Sequence, residues 1–204
     1  LDTVPFLDGP VSAALVARTD GQGGGSVKAA FNLRDAALSL PFFNWRKPPG
    51  EPGEASVTLA LVDETPSALE SFTLAAGGEA APRLESDGSA VFADDGEAVR
   101  EVTLNNFMLG RTKLRGLTAE RQGDGWALQL RGGTFDVEPF LEQTEEERAA
   151  ARAEQAGDDT TAQNAAPGPP IEIRTSELDR LRFAEGRFLT DVVLSAERGP
   201  AGWW

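Results

Sequence analysis

One stretch of this 204-residue sequence occurs twice, over residues 110–126 and again over residues 186–203. Each copy begins with Gly-Arg, continues as an alternating apolar and polar stretch, closes with Ala-Glu-Arg and reaches Gly-Trp after a short turn. In the first copy Trp126 opens a further alternating stretch, whereas the second copy reaches Trp203 one residue before the sequence stops. We expect a β-hairpin that is repeated, and we interpret the chain as a segment of a longer, repetitive β protein.

A period of two residues runs through most of the chain. Val27, Ala29, Phe31 and Leu33 alternate with polar or small residues, which indicates a strand with one buried face. The phase slips near residues 35–36, where we expect a bulge or bend, because a shift of one residue exchanges the two faces. Short connections rich in Gly and Asp predict a meander of antiparallel strands. The predicted fold class is mainly β: an extended, strongly twisted, groove-like open antiparallel sheet with one short helix and a disordered linker.

The pattern divides the chain into four segments. Residues 1–140 form the first part of the sheet, and residues 171–204 continue it and end within the second copy of the repeat. Between them, the capping box at residues 144–147 and the alanines that follow predict a short polar helix over residues 141–157. Residues 158–170 are polar and rich in proline, which predicts a flexible linker.

The composition excludes several classes of function. The chain contains no Cys, no His and no Tyr, and its formal net charge is −14. Disulfides, thiolate or imidazole metal ligands and histidine-based catalysis are therefore excluded, and an acidic surface is unsuited to nucleic acids. The remaining nucleophiles and bases show no spacing typical of an active site, so we expect no enzyme, no catalytic residues, no metal and no cofactor. The sequence has no run of about 18 apolar residues, so no membrane-spanning helix is predicted.

Apolar residues at alternate positions predict a common apolar face of the sheet. Its candidate members are Phe31, Leu33, Leu59, Leu61, Leu74, Val102, Leu104, Leu128, Leu130, Val192 and Leu194. Two interpretations stay open: the face is the closed core of an ordinary β protein, or it lies open and holds lipid acyl chains. The polar character of the predicted helix and the small number of aromatic residues, 11 Phe and 4 Trp, favour the open face.

Residues 43–53 are predicted to form a loop, because three prolines and two glycines cannot sustain a ladder of hydrogen bonds. Trp45, Arg46 and Lys47 lie in this loop, where an aromatic ring followed by two cations would suit lipid headgroups or a protein partner. The alternative is a tryptophan folded over the edge of the sheet, with its two cations in water.

Three groups of motifs together resemble the AsmA-like proteins of Gram-negative bacteria, in particular the YhdP-type branch of the YhdP–TamB superfamily. The first is Asn-Leu-Arg-Asp-Ala-Ala-Leu-Ser-Leu-Pro at 32–41, which runs into Trp-Arg-Lys-Pro-Pro-Gly at 45–50. The second is Asn-Asn-Phe-Met-Leu-Gly at 105–110, ahead of a Leu-x-Gly strand. The third combines Leu-Asp-Arg-Leu, Gly-Arg and Leu-Thr-Asp-Val between residues 178 and 192, ahead of the last Gly-Trp. The resemblance covers residues 10–140 and 171–204.

The resemblance implies a function. Proteins of this family are anchored in the inner membrane by an N-terminal helix, extend across the periplasm as a twisted sheet curled into an apolar groove, and are implicated in moving phospholipid toward the outer membrane. It therefore implies a periplasmic, monomeric segment that binds phospholipid, in a parent anchored to the inner membrane through a helix that this chain lacks. The family brings no catalytic residues. The alternative is a non-enzymatic scaffold that offers sheet edges to outer-membrane β proteins, and a carbohydrate-binding sandwich is less favoured because no Tyr or Trp platform is evident.

Overall fold

The structure, a computed structural model, describes residues 6–40, 43, 45–93, 95–96, 98–138, 171–199 and 202–203. In this part of the chain the fold is mainly β and consists of two open sheets, which confirms the predicted class. The strands in chain order are β1 (Leu7–Asp8), β2 (Ser12–Thr19), β3 (Gly25–Asn32), β4 (Ala37–Leu40), β5 (Trp45–Lys47), β6 (Gly53–Val62), β7 (Thr65–Ala76), β8 (Leu84–Phe92), β9 (Val99–Leu109), β10 (Thr112–Gln122), β11 (Gly125–Asp136), β12 (Ile171–Ala184), β13 (Arg187–Gly199) and β14 (Gly202–Trp203). The predicted helix at 141–157 and the linker at 158–170 lie outside the described residues.

The larger sheet contains eleven strands in the order β14-β13-β12-β11-β10-β9-β8-β7-β6-β3-β2. Its order follows the chain apart from the excursion between β3 and β6, as expected for hairpins joined by short turns. The repeated stretch forms equivalent hairpins: Arg121 pairs with Trp126 in the first copy, and Arg198 pairs with Trp203 in the second. The strands pair antiparallel, as predicted, at every described pairing except one, because β11 and β12 run parallel. A parallel neighbour requires a long connection, and residues 137–170 provide it.

The smaller sheet has the order β1-β4-β5 and arises from the excursion between β3 and β6. The phase slip near residues 35–36 is a turn, closed by a hydrogen bond from the Ala36 N–H to the Leu33 carbonyl at 3.3 Å. Leu38 and Leu40 therefore belong to β4 of the smaller sheet and do not extend β3. The prediction that residues 43–53 form a loop throughout is also wrong, because β5 lies within them. The three prolines all follow β5, so none of them removes a donor from its pairing with β4.

A cluster of buried apolar side chains lies where the smaller sheet packs on the larger one. Leu84, Phe107 and Leu114 of the larger sheet are between 1% and 7% exposed, and Leu38, Leu40 and Phe43 of the covering segment pack against this cluster. The rings of Phe43 and Phe107 lie 5.1 Å apart between centroids. The smaller sheet thus covers part of one face of the larger sheet, and the core cluster continues to Leu130 and Leu178 on β11 and β12.

Side chains complete the hydrogen bonding of the parallel pair. The register of β11 and β12 shifts between Leu128 and Arg131, so the backbone N–H of Leu130 has a side-chain acceptor, the hydroxyl of Ser176, at 2.9 Å. Ser176 is fully buried and donates its own proton to the carbonyl of Arg174 at 2.8 Å. The Gly133 N–H similarly donates to the Asp179 carboxylate at 2.9 Å. These bonds supply side-chain acceptors to backbone N–H groups along the irregular ladder.

Candidate functional site: an apolar sheet face

The register of the strands assembles one unbroken apolar row across the larger sheet. Residues that pair directly on neighbouring strands project from the same face, so a chain of such pairs traces a row. The row contains a member from every strand except β14: Ala17, Val27, Leu59, Leu69, Ala90, Val102, Ala119, Leu128, Ile173 and Ala196. We call this set the long row. It contains no charged or polar side chain, and at a strand spacing of about 4.8 Å it is about 43 Å long.

A second row runs beside the long row on the same face. It consists of Leu15, Ala29, Val57, Phe72, Gly88, Leu104, Leu117 and Leu130, which are connected by direct pairing from β2 to β11. The two rows together define what we call the apolar face. Most of their members are half-buried, and among the described residues the smaller sheet covers this face only around the core cluster.

Bulges keep this face apolar where the simple alternation of the sequence fails. Leu104 and Phe107 are three residues apart, yet both face the same side, because Asn105 is an extra residue relative to β8. The side-chain amides of Asn105 and Asn106 both donate to the carboxylate of Asp87, at 3.3 and 2.9 Å, and hold this irregular stretch in place. A similar spacing of three occurs between Leu69 and Phe72, where β7 carries the extra residue.

Of the eleven residues predicted for the apolar face, all but Leu33 lie on one side of the larger sheet. The long row includes Leu59, Val102 and Leu128, and the second row includes Leu104 and Leu130. Five more predicted residues face the same side, as their direct pairing or their place in the adjoining core cluster shows: Phe31, Leu61, Leu74, Val192 and Leu194. Leu33 lies one residue beyond β3 and is not part of either row. Leu33 and Leu130 are only 5% and 6% exposed, so protein atoms already cover them and they are poorly placed to meet a ligand.

Sequence reasoning missed several members of the face. Leu69, Leu117 and Ile173 were not among the predicted residues, although each occupies a direct pairing position in one of the two rows. The available signal was the spacing of three residues between neighbouring apolar positions, such as Leu114 and Leu117. A strand that carries a bulge produces this spacing, whereas a strict period of two excludes it.

The opposite face of the larger sheet is polar and carries ion pairs that bridge alternate strands. Arg174 of β12 reaches Glu120 of β10 at 2.7 Å, across Ala127 of β11, which is only 2% exposed. Arg115 and Asp179 make an equivalent bridge at 2.6 Å between the same two strands. Both pairs are largely exposed, so each contributes at most about 1 kcal/mol to folding. Their main consequence is to distinguish the two faces, one charged and one aliphatic.

Of the three residues predicted to contact headgroups or a partner, two are buried and one is exposed. Trp45 is 4% exposed, and its indole N–H donates to the carbonyl of Pro82 at 2.7 Å. Lys47 is 0% exposed, and only Arg46 between them is exposed. Trp45 therefore joins the smaller sheet to the loop between β7 and β8 of the larger sheet. Neither Trp45 nor Lys47 is available to a headgroup, which leaves Arg46 as the accessible member of the three.

Lys47 is a buried cation whose donors are all used. Its ammonium group donates to the carbonyls of Ala36 at 2.8 Å, Pro48 at 3.1 Å and Arg34 at 3.3 Å. Three acceptors match the three protons of an ammonium group. Burial lowers the pKa of Lys47 from its ordinary value of 10.5, and the nearby carboxylates of Glu51 and Asp35 oppose this shift. The ammonium group thus connects the turn before β4 with the residue that follows β5.

The described part of the chain lacks two features, a cluster of acidic side chains for a metal ion and a helix that spans a membrane. Its residues include no group of three or more acidic side chains able to hold a metal ion. None of its helices is long and apolar enough to cross a membrane. No protein-family model, no curated protein and no solved structure matches the chain. The apolar face is thus the feature of the described residues that most requires a functional explanation.

Proposed function

We propose that the chain binds phospholipid through its acyl chains, which lie on the apolar face and run across the strands. The observation that carries this proposal is the long row, in which every strand from β2 to β13 in the larger sheet contributes an aliphatic residue to one continuous line. A closed core needs a matching layer opposite each part of a sheet. Among the described residues, the smaller sheet supplies such a layer only around the core cluster.

The dimensions of the long row suit several acyl chains. The hydrocarbon core of a bilayer is about 30 Å thick, so one leaflet contributes about 15 Å, whereas the long row is about 43 Å long. Each buried methylene group contributes roughly 0.8 kcal/mol, so a tail would be held by contacts spread over many residues. Because no charged side chain interrupts the row, successive positions along it offer similar binding free energies. A tail can then move from strand to strand without crossing a large barrier.

The wider setting of this activity is part of the same proposal. Through the resemblance of its motifs to AsmA-like proteins, we place the chain in the periplasm, as a segment of a parent protein anchored in the inner membrane. Phospholipid would travel along the apolar face toward the outer membrane, with the headgroup kept in water at the open side. No cofactor, metal or catalytic residue takes part.

Photo-crosslinking on the two faces tests the proposal. A photoreactive amino acid at Val102 or Leu128 reports on the apolar face, and matched controls at Thr103 or Gln129 lie one residue away on the polar face. The chain is expressed in a Gram-negative host, irradiated, purified and analysed by mass spectrometry for phospholipid adducts. We expect adducts from the two apolar positions and none from the two controls.

Two other results would contradict lipid binding. Equal adducts from both faces would indicate nonspecific adsorption of lipid. Adducts to protein alone from Val102 and Leu128, in a folded sample, would indicate a face covered by polypeptide and would favour the scaffold interpretation. Circular dichroism of each variant establishes that the sheet remains folded.

A further inference from the structure

The larger sheet ends in an unusually exposed strand. All eight residues of β2 are exposed, and among the described residues β2 pairs only with β3. Leu15 is 65% exposed on the apolar face, and its neighbour Val16 is 58% exposed on the polar face. Large aliphatic side chains are therefore exposed on both sides of the same edge, beside backbone groups that no described residue pairs with.

The unpaired backbone groups of β2 belong to its odd-numbered residues. The backbone N–H of Leu33 donates to the carbonyl of Gly53 in β6 at 2.8 Å. Because the backbone groups of successive residues in a strand point in opposite directions, the even-numbered residues of β3 direct their N–H and C=O groups to β2. The Asp20 N–H donates to Gly24 O at 3.0 Å, which gives the same parity on the β2 side. Ala13, Leu15 and Ala17 consequently direct their N–H and C=O groups away from β3, toward the open edge.

Most of the usual protections of an edge strand are missing from β2, whose one charged residue, Arg18, lies next to its end. Its sequence, Ser-Ala-Ala-Leu-Val-Ala-Arg-Thr, contains no proline and no acidic residue, and its register with β3 shows no bulge. At the other side of the sheet, by contrast, β13 contains Asp191 with a φ of 53° and is partly covered by β14. Natural sheets blunt long edges with charge, proline, bulges or a cover, so an unprotected edge indicates a strand that is normally paired.

We propose that a second copy of this chain pairs with the β2 edge, antiparallel and centred on Leu15. In this register Leu15 lies opposite Leu15 of the other copy, Ala13 lies opposite Ala17, and Ser12 lies opposite Arg18. Arg18 is the one charged residue of β2 and meets no like charge. The outward groups of Ala13, Leu15 and Ala17 then form about six backbone hydrogen bonds.

The symmetry of this pairing places both apolar faces on the same side. The two-fold axis passes midway between the two Leu15 residues and stands normal to the sheet, so it exchanges the copies without turning either face over. The two larger sheets thereby join into one sheet whose apolar rows meet at the seam. The pairing itself depends only on the edge and does not require lipid, so its test is independent of the proposed function.

The charge of the chain sets the conditions for association. Each copy carries a formal net charge of −14, which opposes dimer formation at long range. At about 0.15 M salt the screening length is about 8 Å, and the seam itself contains no acidic residue. We therefore expect added salt to strengthen the dimer, the opposite of what an interface built from ion pairs would show.

Disulfide trapping tests the register. The chain has no cysteine, so each introduced thiol is unique. Leu15→Cys should form a disulfide-linked dimer, because opposed hydrogen-bonded residues have Cα atoms about 5.5 Å apart, within the range that a disulfide spans. Ala13→Cys and Ala17→Cys should each remain uncrosslinked alone, yet crosslink when the two variants are mixed. Equal crosslinking of all single variants, or none by Leu15→Cys, would overturn the proposed register.

Sedimentation equilibrium tests the association without an introduced thiol. The unmodified chain should show reversible association from 21.6 kDa to twice that mass as concentration rises. Leu15→Pro removes an outward N–H without removing a bond to β3, and we expect it to weaken the dimer about tenfold or more. Leu15→Lys, which keeps the backbone intact, should do the same. A monomer at all concentrations, or association that neither variant weakens, would refute pairing through β2.

Discussion

Replacing Ser176 by alanine should destabilise the chain far more than an ordinary surface substitution. Ser176 is 0% exposed, and its hydroxyl accepts the Leu130 N–H at 2.9 Å while donating to the Arg174 carbonyl at 2.8 Å. Ser176→Ala removes both bonds and leaves the buried Leu130 N–H without its acceptor. An unsatisfied buried group costs about 1–3 kcal/mol, and losing the second bond adds about 1 kcal/mol. The expected loss of unfolding free energy is therefore about 2–4 kcal/mol.

Urea denaturation measures this loss. With a slope of roughly 2–3 kcal/mol per molar urea, the transition midpoint should fall by about 1 M. Ser195→Ala is the matched control, since Ser195 is exposed on the neighbouring strand β13, and such substitutions usually change stability by less than about 0.5 kcal/mol. Hydrogen exchange adds a local readout, because the Leu130 amide should exchange faster in Ser176→Ala.

The reasoning would be refuted if Ser176→Ala and Ser195→Ala had the same midpoint. That outcome would mean that water or another group satisfies the Leu130 amide, so the hydroxyl would not be what stabilises the irregular register of β11 and β12. A fall in midpoint without faster exchange at Leu130 would also contradict the assignment, because the destabilisation would then originate elsewhere in the sheet.

Two further substitutions test packing at single sites. Gly88→Ala should destabilise the chain by about 1–3 kcal/mol in urea denaturation, because a Cβ there would overlap the carbonyl oxygen of Thr103. In the control Gly116→Ala the new Cβ meets only ordinary contacts, so the change should be neutral or slightly stabilising. Equal effects of the two substitutions would refute the steric argument. Burial lowers the pKa of Lys47, so between the lowered pKa and 10.5 the unfolded chain binds more protons than the folded chain. The stability of the unmodified chain relative to Lys47→Met should therefore rise with pH in that interval. Paired denaturations at pH 7.5 and 10 check the sign, and a parallel pH dependence in both proteins would contradict it.

The strands themselves were predictable from the sequence, because alternation is a local property. The pattern of Val27, Ala29 and Phe31 is enough to predict one buried face, and the Gly-Trp repeat is enough to predict equivalent hairpins. The bulges were not predictable in the same way. The residue type of an extra residue such as Asn105 does not mark it as a bulge. The bulge is defined by the pairing with β8, and the local pattern does not identify that partner.

The smaller sheet and the parallel pair were also beyond local patterns. Trp45 and Lys47 are residue types that suit an exposed interfacial loop, and their burial depends on the backbone carbonyls that accept their hydrogen bonds, Pro82 for Trp45 and Ala36, Pro48 and Arg34 for Lys47. Pro82 lies 37 residues from Trp45 along the chain, so no short window contains both partners. The direction of β12 likewise depends on the path of a long connection rather than on its own alternating residues.

The parallel pair is also where continuity of the apolar face is most vulnerable. The long row crosses it at Leu128 and Ile173, close to the register shift that Ser176 stabilises. If β12 slipped by one residue, Glu172 or Arg174 would replace Ile173 on the apolar face, since a one-residue slip exchanges the faces of a strand. A charge at that point would present a large desolvation cost to any acyl chain on the row. The buried hydroxyl of Ser176 therefore links the stability of one irregular ladder to the continuity of the whole face, and the proposed transport depends on both.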